Sequence, residues 1–312
     1  MTFSFRQIRY FIAVADAGQV SAAAANLNVS QSAVSSAIRN LETVLAVPLF
    51  QRLPGGVSLT YEGHQFLRHA QNILAAVSEA SRSLRRSGKS LEGRVSVGLS
   101  YTVAGYFIPQ LLTRFSKSFP DVRVDLRETQ RPEIEAEVEK GNLDIAVILV
   151  SNLQNRERIG SKLLVRSQRR LWLCADHHLM AADRVPLADV AKEPYVMLSV
   201  DEADQTAYRY WNKTPFRPNV LFTTSSVEAV RSMVATGMGV TILSDMVYRP
   251  WSLEGQHVEV RELSDPVPSM DIGLIWNDEK EMSAPTMAFY EFLCLSFGDV
   301  GYGIPEPELH AG

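Results

Sequence analysis

The stretch that decides the fold runs from Ser21 to Phe50 and reads SAAAANLNVSQSAVSSAIRNLETVLAVPLF. Its alanine-rich start predicts a short helix, and a tight turn at 27–29 leads into a second helix from Gln31 to about Leu45. Ser30 is suited to cap the second helix, because its hydroxyl can accept from a free backbone N–H of the first turn. One face of that helix is apolar, and the opposite face is small and polar. The apolar positions are Val34, Ile38, Leu41 and Leu45, and the polar positions are Gln31, Ser32, Ser35, Ser36 and Arg39.

Two short helices joined by a tight turn, the second polar on its outer face, are typical of a helix-turn-helix. Short polar side chains and Arg reach base edges in the major groove, so this face predicts a DNA-reading surface. Residues 51–60 then predict a hairpin, or wing, whose tip is formed by residues 54–56. Arg52 lies at the base of the wing, where it is placed to contact a phosphate. The alternative for Arg52 is an ordinary solvated surface charge.

The N-terminal part of the chain, up to Gly63, resembles the LysR-type transcriptional regulators without a gap. The resemblance places seven candidate DNA contacts on the family's helix-turn-helix and wing, although Ser32 is one of its departures. It includes three departures, which are Ser32 where the family usually has Pro, Ser36 where it often has Arg, and Ala46 where it usually has Gly. Losing the Arg removes one DNA contact, whereas the other two changes are expected to be structurally mild. Matching residues include Ile8, Phe11, Gly18, Ala23, Ala24, Leu27, Ser30, Gln31, Leu41, Glu42, Pro48, Leu49, Phe50, Arg52, Thr60 and Gly63. The implied DNA contacts are Ser21, Ser30, Gln31, Ser32, Ser35, Arg39 and Arg52.

The composition supports a cytoplasmic protein that meets a polyanion at one end. Among 312 residues, 46% are hydrophobic and 21% are charged, which is an ordinary globular balance. No apolar run approaches about 18 residues, so a membrane span is not expected. Cys174 and Cys294 are the two cysteines, and so few predict a reducing compartment. Residues 1–94 carry ten basic and five acidic residues, whereas the remainder carries 21 basic and 30 acidic residues.

A long helix is predicted after the wing, from Thr60 to about Ser87. Its apolar residues repeat with the alternating spacing of a heptad seam, which favours a dimerising linker helix. The alternative is an amphipathic helix packed on its own domain. A hinge is predicted at residues 87–90. The residues assigned to dimerisation are Phe66, Ile73, Val77 and Leu84.

From Arg94 the pattern changes to strands that alternate with helices, including a helix predicted over residues 107–119. Such a βαβαβ series predicts a parallel sheet with helices on its faces. Residues 94–298 also resemble the LysR effector domain in the spans VSVGLS, VEKGNLDIAVI and SSVEAVRSMVATGMGVTILS. The fold class is therefore predicted as α/β with a helix-rich N-terminal part. The resemblance implies a winged helix-turn-helix domain at 1–60, a linker at 61–90 and a two-lobed effector domain, like a periplasmic binding protein, at 91–298. Lobe I would comprise about 94–165 with 268–298 and lobe II 166–267, before a flexible tail at 299–312.

Ligands of open α/β sheets bind beyond the carboxyl ends of the strands, where hydroxyl groups gather in this sequence. Loose backbone N–H groups at helix starts, flanked by hydroxyls, would suit a carboxylate. The alternative at each position is a helix cap. Some relatives that bind aromatic acids carry an Arg near Leu149, and its absence here weakens the case for a strongly anionic effector. The predicted effector contacts are Ser100, Thr102, Thr129, Gln130, Ser199 and Thr224.

No motif in the sequence predicts an enzyme, a cofactor or a metal. His177 and His178 are adjacent, but no Cys or carboxylate follows them at ligand spacing. The predicted function is a DNA-binding transcriptional regulator whose activity is modulated by a small-molecule effector between the lobes. The resemblance implies a homotetramer, a dimer of dimers, on a dyad-symmetric operator in double-stranded DNA, with RNA polymerase as a possible further partner. Two rivals stay open, a ligand-binding protein that never acts on transcription and a regulator that senses redox state through Cys174.

Overall fold

The computed structural model describes residues 3–27, 29–53, 56–63, 65–67, 69–70, 73–74, 77, 91–154 and 157–297. The chain divides into two compact units, residues 1–89 with 292–312, and residues 90–291. The predicted hinge at 87–90, the tail at 299–312, Leu84 and much of the predicted linker helix lie outside the described residues. Within the described part, no helix has both the length and the apolar character needed to cross a membrane.

In its described residues, the first unit contains three helices and a hairpin, followed by helical residues at 61–63, 65–67, 69–70, 73–74 and 77. Helix α1, Phe5–Ala17, begins with a capping box in which Ser4 and Gln7 exchange hydrogen bonds, and it ends at Gly18 in the left-handed conformation. Helices α2, Val20–Asn26, and α3, Gln31–Leu45, follow. Strands β1, Phe50–Leu53, and β2, Gly56–Leu59, pair antiparallel as the predicted wing. The buried core of this unit includes Ile8, Phe11, Ile12, Val14, Ala23, Val34, Ile38, Leu41 and Leu49.

The turn after α3 carries backbone strain that fixes the start of the wing. Ala46 lies in the left-handed region with φ 57° and ψ 25°, where a Cβ crowds the backbone. The carboxylate of Glu42 accepts from the amides of Leu49 and Phe50 at 2.8 and 3.1 Å. Gly63 packs so tightly that an added Cβ would lie 2.0 Å from the carbonyl oxygen of Leu49. The turn is thus held from both sides, which allows Ala46 to adopt its unfavourable conformation.

The expectation that Ala46 is a mild change can be tested against this strain. Ala46→Gly should raise the free energy of unfolding of the first unit by about 1 kcal/mol, because glycine adopts the left-handed conformation without steric cost. Hydrogen exchange of the buried amides of α1 and α3 reports that free energy. Ala33→Gly is the matched control, since Ala33 is an exposed helical residue of α3 and should lose about 1 kcal/mol. If Ala46→Gly lowers the free energy of unfolding as Ala33→Gly does, the backbone at Ala46 is not strained.

A five-stranded sheet organises the first lobe of the second unit. Strands β3, Gly93–Leu99, β4, Val122–Glu128, and β5, Ile145–Leu149, run parallel, as the βαβαβ pattern predicts. Their order in the sheet is β4-β3-β5-β13-β6, in which β13, Met270–Asn277, is antiparallel to both of its neighbours. Strand β6 spans Ile159–Ser167. Helices α4, Tyr101–Tyr106, α5, Pro109–Ser118, and α6, Arg131–Lys140, connect the parallel strands.

The second lobe is built on a four-stranded sheet in the order β11-β7-β12-β8. Its strands are β7, Arg169–Cys174, β8, Arg184–Val185, β11, Thr241–Ser244, and β12, Val258–Leu263. Strands β9, Pro194–Leu198, and β10, Asn219–Thr224, form a separate parallel pair. The helices are α7, Leu187–Val190, α8, Ala203–Trp211, and α9, Val227–Ala235. The chain passes between the lobes at Gln168 and returns between β12 and β13. Helix α10, Ala284–Phe297, follows β13.

The structure adds several elements that the sequence pattern did not predict. The helix predicted over 107–119 is confirmed as α5, Pro109–Ser118, which begins at Pro109 because the fixed φ of proline suits a first turn. Helix α4, Tyr101–Tyr106, is a further short helix directly after β3 and was not predicted. Strands β6 and β12 were not predicted. Each pairs along much of its length with a strand distant in sequence, so the pairing, rather than an alternating pattern, makes the strand.

Candidate functional site

The outer face of α3 is solvent-exposed, as the sequence predicts. Val34, Ile38 and Leu41 are buried, whereas Leu45 is half-buried. Gln31, Ser32, Ser36 and Arg39 are exposed, and Ser35 is half-buried at the edge of the face. An exposed polar face on a helix whose opposite face is anchored in a core is the arrangement that a recognition helix needs.

Two of the predicted DNA contacts also have structural partners. Ser30 caps α3, since its Oγ accepts from the amide of Ala33 at 3.2 Å and lies 3.1 Å from the Oγ of Ser32. Arg39 donates from Nε to the carbonyl oxygen of Ser35 at 3.4 Å, which is a long bond at an exposed site. The guanidinium of Arg39 therefore lies along the outer face of α3. Among the described residues, no carboxylate forms an ion pair with it.

The remaining predicted contacts lie on neighbouring elements. Ser21 is exposed on α2, and Arg52 is exposed on strand β1 of the wing. The wing is attached to the end of α1, because the amide of Val57 donates to the carbonyl oxygen of Gly18 at 2.8 Å. Helices α2 and α3 and the wing thus form one folded unit.

The predicted dimerisation residues differ in their surroundings. Phe66 packs in its own domain, with its ring 5.7 Å from Phe3 and 4.9 Å from Phe11. Ile73 is half-buried against the same core, whereas Val77 is exposed. The N-terminal part of the seam thus packs against the core of its own unit. Val77 is exposed, so a partner helix can reach it.

A small cavity lies between the two lobes of the second unit. Its internal volume is about 20 Å³, which holds one or two water molecules. The lining is largely apolar and includes Leu149, Leu198, Leu243 and Val247. Its polar residues are Thr102, Asn152, Arg169, Asp201, Thr206 and Ser244. A ligand larger than water therefore requires the lobes to separate.

Asp201 connects the two lobes across this cavity. Its carboxylate accepts from the amides of Thr102 and Tyr101 at 2.8 and 3.3 Å, and from the hydroxyl of Thr102. Its backbone carbonyl accepts from the side-chain amide of Asn152 at 3.1 Å. We call residues 199–203 the interlobe loop, because its Asp201 reaches from the second lobe to the first. The carboxylate of Asp201 thereby occupies the free amides at the start of α4.

The interlobe loop holds its contacts at the cost of backbone strain. Asp201 and Glu202 both lie in the left-handed region, with φ 50° and 61°. Two consecutive non-glycine residues in that region are destabilising, so the contacts across the cavity must offset this cost. Glu202 supplies one such contact, accepting from the guanidinium of Arg131 in the first lobe at 2.7 Å. Both side chains of this ion pair are largely buried.

A second contact between the lobes lies at the ends of α4 and α9. The hydroxyl of Tyr106 donates to the carboxylate of Glu228 at 2.9 Å. Burial and this carboxylate raise the pKa of Tyr106 to about 12, so the phenol stays protonated at neutral pH. Polar contacts thus hold the lobes together at the ends of α4 and α9 as well as across the cavity.

Of the six predicted effector contacts, Thr102 lines the cavity. Ser100 caps α4 by position, and its buried Oγ has no hydrogen-bond partner among the described residues. Thr129 donates to the carboxylate of Glu133, and Thr224 accepts from the amide of Ser226 at 3.1 Å. Both hydroxyls therefore have local partners, but the N-cap positions of the following helices are Gln130 and Ser226. Gln130 is exposed before α6, and the amide of Ser199 bonds the carbonyl of Thr224. These five do not line the cavity.

Sequence reasoning missed most of the polar residues that do line the cavity. Asn152 accepts from Arg209 at 3.2 Å and lies 3.4 Å from the hydroxyl of Thr206, which it joins across the lobes. Arg169 begins β7 and donates to the backbone carbonyls of Pro268 and Ser269. Asn152 follows β5 and Asp201 follows β9, but the prediction singled out other polar residues at strand ends. Arg169 begins a strand, so the rule that found Thr102 gave no signal for it.

The histidine pair has a carboxylate that the spacing did not reveal. Glu193 lies 3.5 Å from Nε2 of His177 and 3.3 Å from Nε2 of His178, and the three ligand atoms lie within 4.8 Å of one another. Nδ1 of His177 accepts from the amide of Leu179 at 3.2 Å, which assigns its proton to Nε2. A metal at Nε2 would have to displace that proton. The prediction of no metal stays a prediction.

The thiol of Cys174 is protected. The side chain is buried at the end of β7, and burial and the neighbouring Asp176 raise its pKa. Because the thiolate is the reactive form, a raised pKa makes this thiol a poor nucleophile.

Comparisons with known proteins agree with this arrangement. The model of the lysR-family bacterial regulatory helix-turn-helix protein matches residues 5–64, and the model of the LysR substrate binding domain matches residues 88–294. The chain belongs to the LysR family of transcriptional regulators. It is thus a transcriptional regulator with a DNA-binding domain and an effector-binding domain, as predicted. The LysR family consists of regulators, so the prediction that the chain is not an enzyme is confirmed.

Similar proteins cover almost the whole chain of this LysR-family regulator. An uncharacterized HTH-type transcriptional regulator of Bacillus subtilis, YybE, is 25% identical over 296 residues, covering 95% of this chain and 99% of the relative. A hydrogen peroxide-inducible genes activator of Pectobacterium carotovorum is 28% identical over 275 residues, with 88% and 90% covered. HinK, a LysR family transcriptional regulator from Pseudomonas aeruginosa, has the same fold at a TM-score of 0.63 and 24% identity, covering 95% of this chain and 99% of that one. The predicted fold class is confirmed.

Proposed function

We propose that α3 reads base edges in the major groove and that a small molecule bound between the lobes alters how the subunits hold DNA. The exposed polar face of α3, opposite the buried Val34, Ile38 and Leu41, is the observation that carries the DNA role. The residues that would read bases are Gln31, Ser32, Ser35 and Arg39. Contacts to the DNA phosphates, which fix the position of the protein on the duplex, would come from Ser21, Ser30 and Arg52. Footprinting of the full-length protein with each of these residues changed to Ala tests the division of roles.

The effector part of the proposal rests on the cavity and on the contacts that close it. Asp201, Glu202 and Asn152 hold the lobes together, and a ligand must break these contacts to enter. A ligand that binds the open form shifts the equilibrium between open and closed lobes by its differential affinity. Contact with RNA polymerase would then convert the changed arrangement into a change of transcription. A cytoplasmic location belongs to this proposal, because DNA is the partner.

We infer that the regulator is a homo-oligomer with more than one interface. Strand β10 pairs with β9 alone among the strands that the structure describes. Val220, Leu221 and Phe222 are all exposed on it, and an apolar edge strand is a feature that proteins normally cover. The predicted seam in the first unit, on which Val77 is exposed, would supply a second interface. Two different interfaces per chain favour a dimer of dimers.

A charged residue on β10 should lower the number of subunits in the oligomer. Leu221→Lys places an ammonium group in the covered edge, where desolvating it is costly, so a smaller assembly is expected by light scattering. Leu253→Lys is the matched control, because Leu253 is 77% exposed on a loop of the same lobe. If the two variants keep the same mass as the unchanged protein, β10 is not an interface.

The redox rival predicts that peroxide changes DNA binding through Cys174. A relative is named as a peroxide-inducible activator, but the buried thiol with a raised pKa argues against that role here. We expect the footprint of the regulator to be the same before and after peroxide, and the same in Cys174→Ser. A peroxide response that disappears in Cys174→Ser would restore the rival.

A further inference from the structure

Arg169 presents an unusual charge to the interlobe cavity. It lines the cavity at the start of β7, where the chain passes from one lobe to the other. One nitrogen, Nη1, donates to the carbonyl oxygens of Pro268 and of Ser269, the latter at 2.7 Å. In the described part of the chain, no hydrogen bond engages its other two nitrogens, and no carboxylate lies within ion-pair distance of it. A guanidinium has five N–H donors, so most of them are left for another partner.

Two other arginines at or near the cleft are neutralised by carboxylates. Arg131 pairs with Glu202 at 2.7 Å, and Arg170, the next residue of β7, pairs with Asp245 at 2.5 Å. Arg169 differs from them, although burial lowers its pKa and therefore makes its charge costly. The nearby charge of Arg209 adds to that cost. Arg169 is half-buried, and the carboxylate of Asp271, which acts on it from beyond ion-pair distance, is paired with Arg166 at 3.4 Å. A partly desolvated cation without a close carboxylate is stabilised by an anion that joins it.

The shape of the surroundings selects the kind of anion. A planar guanidinium matches a carboxylate with two parallel hydrogen bonds. The walls offer Leu149, Leu198, Leu243, Val247 and Met270, which suit a hydrocarbon body rather than the several oxygens of a phosphate. The carboxylate that the cavity already contains, Asp201, is held on Thr102 and Tyr101, away from ion-pair distance of Arg169.

We propose that the interlobe cavity takes a small organic acid whose carboxylate pairs with the guanidinium of Arg169. The proposal rests on the proposed function, in which this cavity is the effector site. It reverses the expectation drawn from Leu149, because the cation comes from β7 instead of from the end of β5. The acid binds when the lobes separate, since the closed cavity has room for water alone.

Thermal unfolding of the full-length protein tests this assignment. The probes are sodium acetate, butyrate, succinate and benzoate at millimolar concentration, compared with their neutral amides and with inorganic phosphate at equal ionic strength. At least one carboxylate should raise the melting temperature by about 2–4 °C or more, and its amide and phosphate should not. Arg169→Gln should abolish the shift, and Arg169→Lys, which keeps a donor for the carbonyls of Pro268 and Ser269, should reduce it. Arg184→Gln, which removes an equal charge from an exposed ion pair of the same lobe, should respond like the unchanged protein.

Several results would overturn the assignment. They are a panel without a stabilising carboxylate, an equal shift from amides or phosphate, and an unchanged shift in both Arg169 variants. Footprinting with the same acids separates this assignment from the proposed function. An acid that stabilises the protein through Arg169 but leaves the footprint unaltered would support the assignment and contradict the effector role.

Discussion

Arg39→Ala should lower the affinity of the regulator for its selected DNA site by about 5- to 150-fold, the equivalent of one good base contact of 1–3 kcal/mol. Arg39 is exposed on the outer face of α3, where its Nε bond to the carbonyl of Ser35 is long and easily replaced. Binding to random DNA should fall much less, since base contacts carry little of the non-specific affinity. Titration of each duplex by fluorescence anisotropy measures both affinities.

Arg52→Ala is the matched comparison for Arg39→Ala, because it removes the same charge from the wing instead of from α3. Its loss should be similar on selected and random DNA, and the slope of log affinity against log salt should fall by about 1. Equal losses on the two duplexes for both variants would show that neither Arg reads a base. A selective loss in Arg52→Ala with none in Arg39→Ala would reverse the two roles.

Asp201→Ala should release the interlobe loop and open the cavity. The carboxylate of Asp201 is the acceptor for the amides of Tyr101 and Thr102, and a hydrogen bond to a charged group contributes about 1.5–3 kcal/mol. These two amides should therefore exchange with solvent at least about tenfold faster in the variant. Apparent affinity for the effector should rise, because less of the protein is held in the closed form.

Hydrogen exchange of the full-length protein measures this effect, and α9 within the second lobe is the internal reference. Asp183→Ala is the control variant, since Asp183 is an exposed carboxylate of the same lobe. Exchange at Tyr101 and Thr102 that is unaltered by Asp201→Ala would contradict the closing role of the interlobe loop. Accelerated exchange across α9 as well would indicate general unfolding instead of opening.

Helical periodicity predicted the DNA-binding unit well because its determinants are local. The cap at Ser30, the bounds of α3 and the stop at Gly18 each depend on residues within about one helical turn. The structure adds the left-handed conformation of Ala46, which makes a seemingly mild substitution a strained one.

The effector cavity was poorly predicted because its determinants are distant in sequence. Thr102 meets Asp201 across 99 residues, and Arg131 meets Glu202 across 71. The position of Arg169 is set by the returning chain at Pro268 and Ser269, about 100 residues later. A rule based on strand ends identifies the first lobe's wall of the cavity through Thr102, but it cannot show which residues of the other lobe face it. The left-handed conformation of Glu202 likewise has no sequence signal.

Selection of DNA from a random duplex pool by the purified full-length protein, followed by footprinting at two salt concentrations, tests the central claim. The account predicts recovery of a dyad-symmetric site whose half-sites are protected in the major groove and whose footprint survives the higher salt. Binding that is independent of sequence at low salt and lost at high salt, with no site enriched, would contradict it.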